Sequence, residues 1–266
     1  MRYVVKFSYS GAGFCGWQKQ AGAPSVQETL ENALGTLLGA PTAVTGAGRT
    51  DTGVNAVGYI AHFDAPEGLD AGQIRYKLNA ILPVSVSVLS ISPASPDFHA
   101  RFDAVRREYT YFLHRRKDPF IAAHSCFYAY QDLDFDAMNE AAGLLLGTHD
   151  FACFQKKGSD NKTTVCTVFE AEWRPYVPSY LSVGADAAAT SSADEPQYWY
   201  FRISADRFLR NMVRAIVGTL LEVGRGKRSV EDVSALLREG TRSEAGESVP
   251  GHALFLSAVF YPEGSF

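Results

Sequence analysis

The sequence has little of what would place it outside ordinary folded proteins. No apolar run approaches the roughly 20 residues that a membrane-spanning helix needs. The nearest, residues 215–223, is interrupted by Gly218, Thr219 and Glu222, so no membrane helix is expected. The opening MRYVVKFSYS carries Lys6 inside its apolar stretch and alternates like a strand, which is not the core of a signal peptide, and export is not expected. Cysteine is sparse: Cys15, Cys126, Cys153 and Cys166 show no C-x-x-C spacing and no paired histidines nearby. They suggest neither a zinc site nor a redox dithiol and read as reduced cytosolic thiols. His99, His149 and His252 are scattered without metal-ligand spacing, so no metal is expected. The glycine cluster Gly11-Ala12-Gly13 lacks the Lys-Ser/Thr ending of a phosphate loop, and a nucleotide cofactor is not supported.

What is present is ordinary in amount: 266 residues, 46% hydrophobic and 20% charged, which excludes general disorder, collagen and coiled coil. The length suits one large domain or two modest ones. A net charge of -4 argues, taken alone, against a nucleic-acid partner. Its distribution says otherwise. Residues 202–228 carry +5 and residues 106–117 carry +4, leaving -13 on the rest of the chain. Two basic segments on an acidic body suit a cleft for a polyanion, although two solvated basic faces would give the same count.

Hydrophobic periodicity supplies the architecture. Residues 2–9 alternate as a strand. Ser25 and Glu28 make a capping box before Val26, Leu30, Leu34 and Leu37 at helical spacing, ended by Gly39 and Pro41. A short strand near residues 42–46, a strand over 57–63, a helix capped by Asp70 and Gln73, and a strand over 84–91 complete the order β-α-β-β-α-β, a ferredoxin-like or split βαβ unit. The second half repeats the plan: strands over 106–114, 165–173, 197–204 and 254–261, and helices over 135–146, 207–223 and 229–237. Residues 178–196, rich in Ala, Ser and Asp, read as a long exposed hairpin loop. The expected fold is α+β, two ferredoxin-like halves with a largely antiparallel sheet. The boundary falls near residue 105: an N-terminal domain over 1–105 and a C-terminal domain over 106–266. Two halves sharing one sheet would carry the same pattern.

Among residues able to do chemistry, the loop Gly48-Arg49-Thr50-Asp51-Thr52-Gly53 stands first, because glycines flank an Arg, a carboxylate and two hydroxyls between predicted strands. Such a loop can expose an ionised carboxylate, or it can be a turn in which Asp51 bonds its own backbone. On a helix starting at residue 207, Arg207, Arg210 and Arg214 fall within an arc of roughly 60 degrees. With no acid at i+4 to pair them, an anion-facing role is favoured over a solvated face. Strand alternation puts Tyr109 and Tyr111 on one face, where aromatics beside arginines stack on unpaired bases or simply fill the core; at least one is structural.

In order along nearly the whole chain, these segments resemble the tRNA pseudouridine synthase A family. The resemblance rests on Gly16-Trp17-Gln18, Ser25-Val26-Gln27-Glu28, Gly48-Arg49-Thr50-Asp51-Thr52-Gly53-Val54, Phe98-His99-Ala100-Arg101-Phe102, Arg107-Glu108-Tyr109-Thr110-Tyr111, Phe208-Leu209-Arg210-Asn211-Met212-Val213-Arg214 and the stretch from Val217 to Gly226. Thr52 and Asn55 depart from the Ala and His that the family often has there.

The resemblance implies a pseudouridine synthase fold and a cytoplasmic homodimer that isomerises uridine at positions 38, 39 and 40 of the tRNA anticodon stem-loop, without metal or organic cofactor. It also implies that Asp51 is the catalytic aspartate, that Arg214 faces it, that Tyr109 stacks on the target uracil, and that Arg49 lies near the flipped nucleotide. Arg207, Arg210 and the cluster from Arg225 to Arg228 go to backbone phosphates. The rival readings are a non-catalytic RNA-binding protein of tandem ferredoxin-like domains, which needs no Asp51, and a small-molecule sensor, which needs no segregated positive charge.

Overall fold

The computed structural model of the protein describes residues 1–130, 132–159, 162–181 and 196–266. In chain order it contains β1 (Arg2–Tyr9), α1 (Val26–Leu38), β2 (Val44–Gly46), β3 (Asn55–Asp64), α2 (Ala71–Ile81), β4 (Val86–Pro93), β5 (Arg106–His114), β6 (Cys126–Phe127), α3 (Phe135–Gly143), β7 (Gly147–Asp150), β8 (Val165–Pro175), β9 (Tyr198–Ala205), α4 (Met212–Gly224), α5 (Val230–Glu239) and β10 (Leu254–Phe260). The fold is α+β with largely antiparallel strand pairing.

The chain makes two compact units, one of Met1–Tyr109, Ser204–Arg210 and Phe255–Phe266, the other of Thr110–Ile203 and Asn211–Leu254. The boundary near residue 105 divides the chain in order; the units do not. Strands find partners distant in the chain, and β10, the last strand, pairs in parallel with β3 through Phe255 opposite Asn55 and Leu256 opposite Ala56.

In the first unit β1 pairs antiparallel with β3 on one side and β4 on the other, and β2 pairs antiparallel with β3. The resulting order β4-β1-β3-β2 is the split βαβ arrangement. Helix α1 buries Val26, Leu30, Ala33 and Leu34, and α2 buries Ile74 and Leu78. These side chains close over Val5, Phe7, Tyr59, Ala61 and Phe63 of the sheet. Each such large side chain contributes about 1.5–3 kcal/mol of burial. Ser25 accepts from the Glu28 N–H at 3.3 Å as the cap of α1. The return half of the capping box is replaced: the Glu28 carboxylate lies 4.0 Å from Lys19 Nζ.

In the second unit the strand order is β5-β9-β8-β7, with β6 beside β5. Helix α3 packs on α4, α5 and β8. It is shorter than the spacing predicts. The N–H groups of Leu144, Leu145 and Leu146 turn back to carbonyls three residues earlier, which tightens the end of the helix before Gly147 opens β7 at φ 92°.

A larger correction concerns α4, which begins at Met212 and not at residue 207. Asn211 stands at φ 67°, a left-handed conformation that a continuing right-handed helix cannot hold. Arg207 and Arg210 are therefore not on one helical stripe with Arg214. The expected hairpin over 178–196 falls mostly outside the described residues; Ser179–Leu181 form a single helical turn.

Candidate active site

Asp51 sits between β2 and β3 in a loop gripped from two sides. From the sheet, Tyr59 donates to the Gly48 carbonyl, and the Tyr9 hydroxyl shares a buried 2.8 Å bond with Thr50 Oγ1. Both phenols belong to an aromatic cluster in which Tyr59 stacks on Trp17 at 4.4 Å and lies 5.2 Å from Phe7. Burial pushes both phenol pKa values far up, so both keep their protons as hydrogen-bonding groups.

From the other side comes the segment after β1. The Trp17 N–H donates to Thr50 O at 3.2 Å and the Gly53 N–H to Phe14 O at 3.4 Å. The Gly11 N–H donates to Asn55 Oδ1 at 2.8 Å. The approach is so close that a Cβ on Gly11 would stand 2.4 Å from Val54 O, and one on Gly16 2.4 Å from Thr50 O. Asn55, one of the departures from the family pattern, is 3% exposed and ties the two loops together.

The turn that the sequence allows is also present, closed by the backbone: the Val54 N–H donates to Asp51 O at 3.1 Å. That bond uses the backbone carbonyl of Asp51 and not its carboxylate. Its Oδ1 lies 3.8 Å from Nε of Arg210, with the carboxylate side chain 24% and the arginine 55% exposed.

Tyr109 of β5 is in the same unit as Asp51. Its ring stands nearly perpendicular to that of Phe208, with centroids 5.1 Å apart. Burial first, and the negative charge of Asp51 second, raise its pKa, so the phenol is protonated at neutral pH and is suited to donating a proton. Ala47, Gly48, Arg49, Arg107, Tyr109, Phe208 and Leu256 line a cleft of about 60 Å³. That is room for only a few waters.

Arg107 organises this cleft. Its guanidinium donates to the carbonyls of Ala104 and Asp206 at 2.7 Å, Arg101 at 2.5 Å and Ala47 at 3.3 Å. Burial pulls its pKa below the ordinary arginine value. In the sequence Arg107 stands only within the segment Arg107-Glu108-Tyr109-Thr110-Tyr111, with no role of its own. Strand alternation was the available signal, since residues i and i+2 share a face and Arg107 shares one with Tyr109. Phe208 likewise stands in the sequence only within the segment from Phe208 to Arg214.

The other expected residues are placed as follows. Arg49 is exposed and its Nε donates to Gln18 Oε1 at 3.2 Å. Arg207 is half-buried, its N–H bonded to its neighbour Asp206 Oδ1 at 2.7 Å. Tyr111 is 0% exposed and is the structural member of the tyrosine pair. Arg214 and Arg225 belong to the second unit. There Arg214 Nε donates to Val249 O at 2.7 Å. Arg225 Cζ lies over the Tyr130 ring, 3.7 Å from its centroid, while Arg228, its neighbour in the basic cluster, is paired with Glu222 at 2.9 Å. Asp51, Tyr109, Arg49, Arg207 and Arg210 are thus members of one compact unit. No group of three or more His, Cys, Asp or Glu able to hold a metal occurs among the described residues, and no helix among them is long and apolar enough to cross a membrane.

A carboxylate presented on a braced loop, beside a protonated tyrosine and several guanidinium groups, can serve chemistry on an anionic substrate. Comparison with known proteins identifies which chemistry. The family model described as tRNA pseudouridine synthase matches residues 141–262, so the class is that of an isomerase enzyme, a pseudouridine synthase. Three curated proteins, each named tRNA pseudouridine synthase A, align along the whole length. That of Porphyromonas gingivalis is 43% identical over 100% of this chain and 99% of its own. That of Bacteroides thetaiotaomicron is 45% identical over 100% and 92%, and that of Bacillus subtilis 39% over 98% and 99%. The chain belongs to the tRNA pseudouridine synthase A family.

Proposed function

We propose that this protein converts uridine to pseudouridine at positions 38, 39 and 40 of the tRNA anticodon stem-loop, as a cytoplasmic two-fold dimer, with the Asp51 carboxylate acting in the chemical step. The reaction breaks the N1–C1′ bond, turns the uracil and joins C5 to C1′; N1 gains a proton and C5 loses one. No electrons leave the substrate, so the isomerisation itself calls for no redox partner. It does call for an ionised carboxylate near the sugar or base, whether that group attacks C1′, adds to C6 or removes the C2′ proton.

The observation that carries the reading is the bracing of the Asp51 loop from two sides. A plain surface turn has no need of a buried aromatic cluster and two close-approach glycines. Such bracing is how a reacting group is held to within a fraction of an ångström. Tyr109 supplies, in this reading, a stacking face for the uracil and a protonated hydroxyl. Arg49 sits near the flipped nucleotide, and Arg207 and Arg210 meet backbone phosphates. Arg214 and Arg225, in the second unit, are assigned by resemblance to the chemistry and to phosphate binding respectively.

The test is incubation with unmodified tRNA transcripts that carry uridine at only one of positions 38, 39 or 40, or only elsewhere, followed by mapping of pseudouridine. The expected product appears at each of the three positions and at no other. Binding without any pseudouridine would favour the non-catalytic RNA-binding protein, and product elsewhere would overturn the positional part.

A further inference from the structure

The parts of the candidate site come from stretches far apart in the chain. Asp51 follows β2, Tyr109 is on β5, and Phe208 and Arg210 belong to the segment after β9. One side chain is tied to all three stretches. Arg107 donates to Ala47 O, four residues before Asp51 and 60 before itself. It also donates to Asp206 O, two residues before Phe208 and 99 beyond itself. It stands two residues before Tyr109 on the same face of β5, and its bonds to Arg101 O and Ala104 O fasten the loop that leads into that strand.

These bonds suit arginine and no other side chain. Nη1 bonds Ala104 O and Asp206 O, and Nη2 bonds Ala47 O and Arg101 O, so all four terminal N–H groups go to backbone carbonyls. A planar guanidinium sets its donors in one rigid fork, and carbonyls that share the fork are held in fixed relation to one another. A lysine ammonium is a point donor on a flexible stem, with three N–H groups for four acceptors. Arg107 also lines the cleft beside Tyr109. A bidentate clamp on phosphate would need at least one of the N–H groups already taken.

We propose that Arg107 is a positioning residue for the isomerisation: its guanidinium fork fastens the start of the Asp51 loop, the strand of Tyr109 and the segment of Phe208 and Arg210 to one point, and so sets the carboxylate relative to the tyrosine without contacting the RNA. This rests on the reading of Asp51 and Tyr109 as the site of uridine isomerisation. Arg49, Arg207 and Arg210 serve the nucleic acid in that reading. Arg107 serves the shape of the site, and its geometry matters more than its charge.

The experiment compares wild type, Arg107→Lys, Arg107→Gln and Ile74→Ala, with steady-state kinetics on a tRNA transcript, tRNA affinity across a salt series, and urea melts that give the folded fraction of each. Lys keeps the charge and loses the fork; Gln loses the charge and keeps a planar amide with two N–H groups. Ile74, on α2 and 6% exposed, supplies a loss of stability outside the cleft lining. In both Arg107 variants kcat per folded molecule falls on the order of 10- to 100-fold, the cost of a displacement of up to about 1 Å. KM stays within about threefold of wild type and the salt slope is unchanged, while Ile74→Ala keeps its kcat per folded molecule. Wild-type kcat in Arg107→Lys overturns the proposal, because charge alone would then suffice. A salt slope shallower by about 0.9 in Arg107→Gln also overturns it, in favour of direct phosphate contact. So does an equal loss of kcat in Ile74→Ala, which would reduce the effect to stability. If Arg107→Gln does not fold, the kcat of Arg107→Lys decides. Failure of the underlying reading looks different, because wild type itself would then form no pseudouridine.

Discussion

Gly16→Ala should disable the enzyme while leaving it folded, although residue 16 lies in a different loop from Asp51. Gly16 has φ 96°, and its added Cβ would stand 2.4 Å from Thr50 O and 3.2 Å from the Asp51 carbonyl carbon. An ordinary contact needs about 1 Å more, so the two loops must part by that amount. The positive φ adds strain of about 1–3 kcal/mol, and parting the loops weakens the Trp17 to Thr50 bond, worth about 1 kcal/mol. The domain tolerates such a loss; a displaced carboxylate does not, since about 1 Å of misplacement costs on the order of 100-fold in turnover. Gly13→Ala is the control. Gly13 has φ 82° but nothing within 4 Å of its added Cβ, so the substitution brings the strain without the displacement. Both variants should show a lowered urea midpoint, and only Gly16→Ala should lose kcat per folded molecule. Equal kcat in the two variants would refute the claim that loop contact positions Asp51.

His62 of β3 is 6% exposed and accepts from the Ala100 N–H at 3.1 Å. Burial, and then the charges of Arg2 and His99, pull its pKa down from 6.5 to about 4. The unfolded chain takes up this proton before the folded one does, so stability rises with pH between about 4 and 6.5 and falls as pH drops through that window, by up to about 3 kcal/mol. His62→Gln, which retains an acceptor, should flatten that part of a pH series of urea melts; an unchanged slope would remove His62 from the account. Tyr109→Phe should keep most tRNA affinity and lose turnover, whereas Tyr109→Leu should weaken both, since a stacked base is worth about 1–3 kcal/mol. Identical behaviour of the two variants would deny that the ring stacks.

The elements of the first unit were legible because their signals are local. Ser25 and Asp70 are side-chain caps, Gly39 is a left-handed stop, and the apolar spacing of α1 faces one sheet. The candidate carboxylate was legible as a glycine-flanked loop. What holds it was not: Tyr9, Tyr59, Gly11 and Asn55 act through contacts between residues 11 to 44 positions apart, which no periodicity encodes. The arginine stripe failed for a different reason. The apolar positions of α4 extend smoothly backward on a helical wheel to residue 207, and only the backbone of Asn211 reveals the break. Arg210, off that helix, lies with its Nε 3.8 Å from Asp51 Oδ1.

The central claim is that the Asp51 carboxylate takes part in the chemical step. Its most direct measurement is pseudouridine formation by Asp51→Ala on an unmodified tRNA transcript, with tRNA affinity and thermal unfolding recorded on the same preparation. Removing a negative charge does not weaken the binding of a polyanion, so lost affinity is not the expected route to lost activity. The account predicts a folded protein that binds tRNA with near wild-type affinity and forms no pseudouridine above background. Turnover retained within a small factor of wild type in that variant would contradict it.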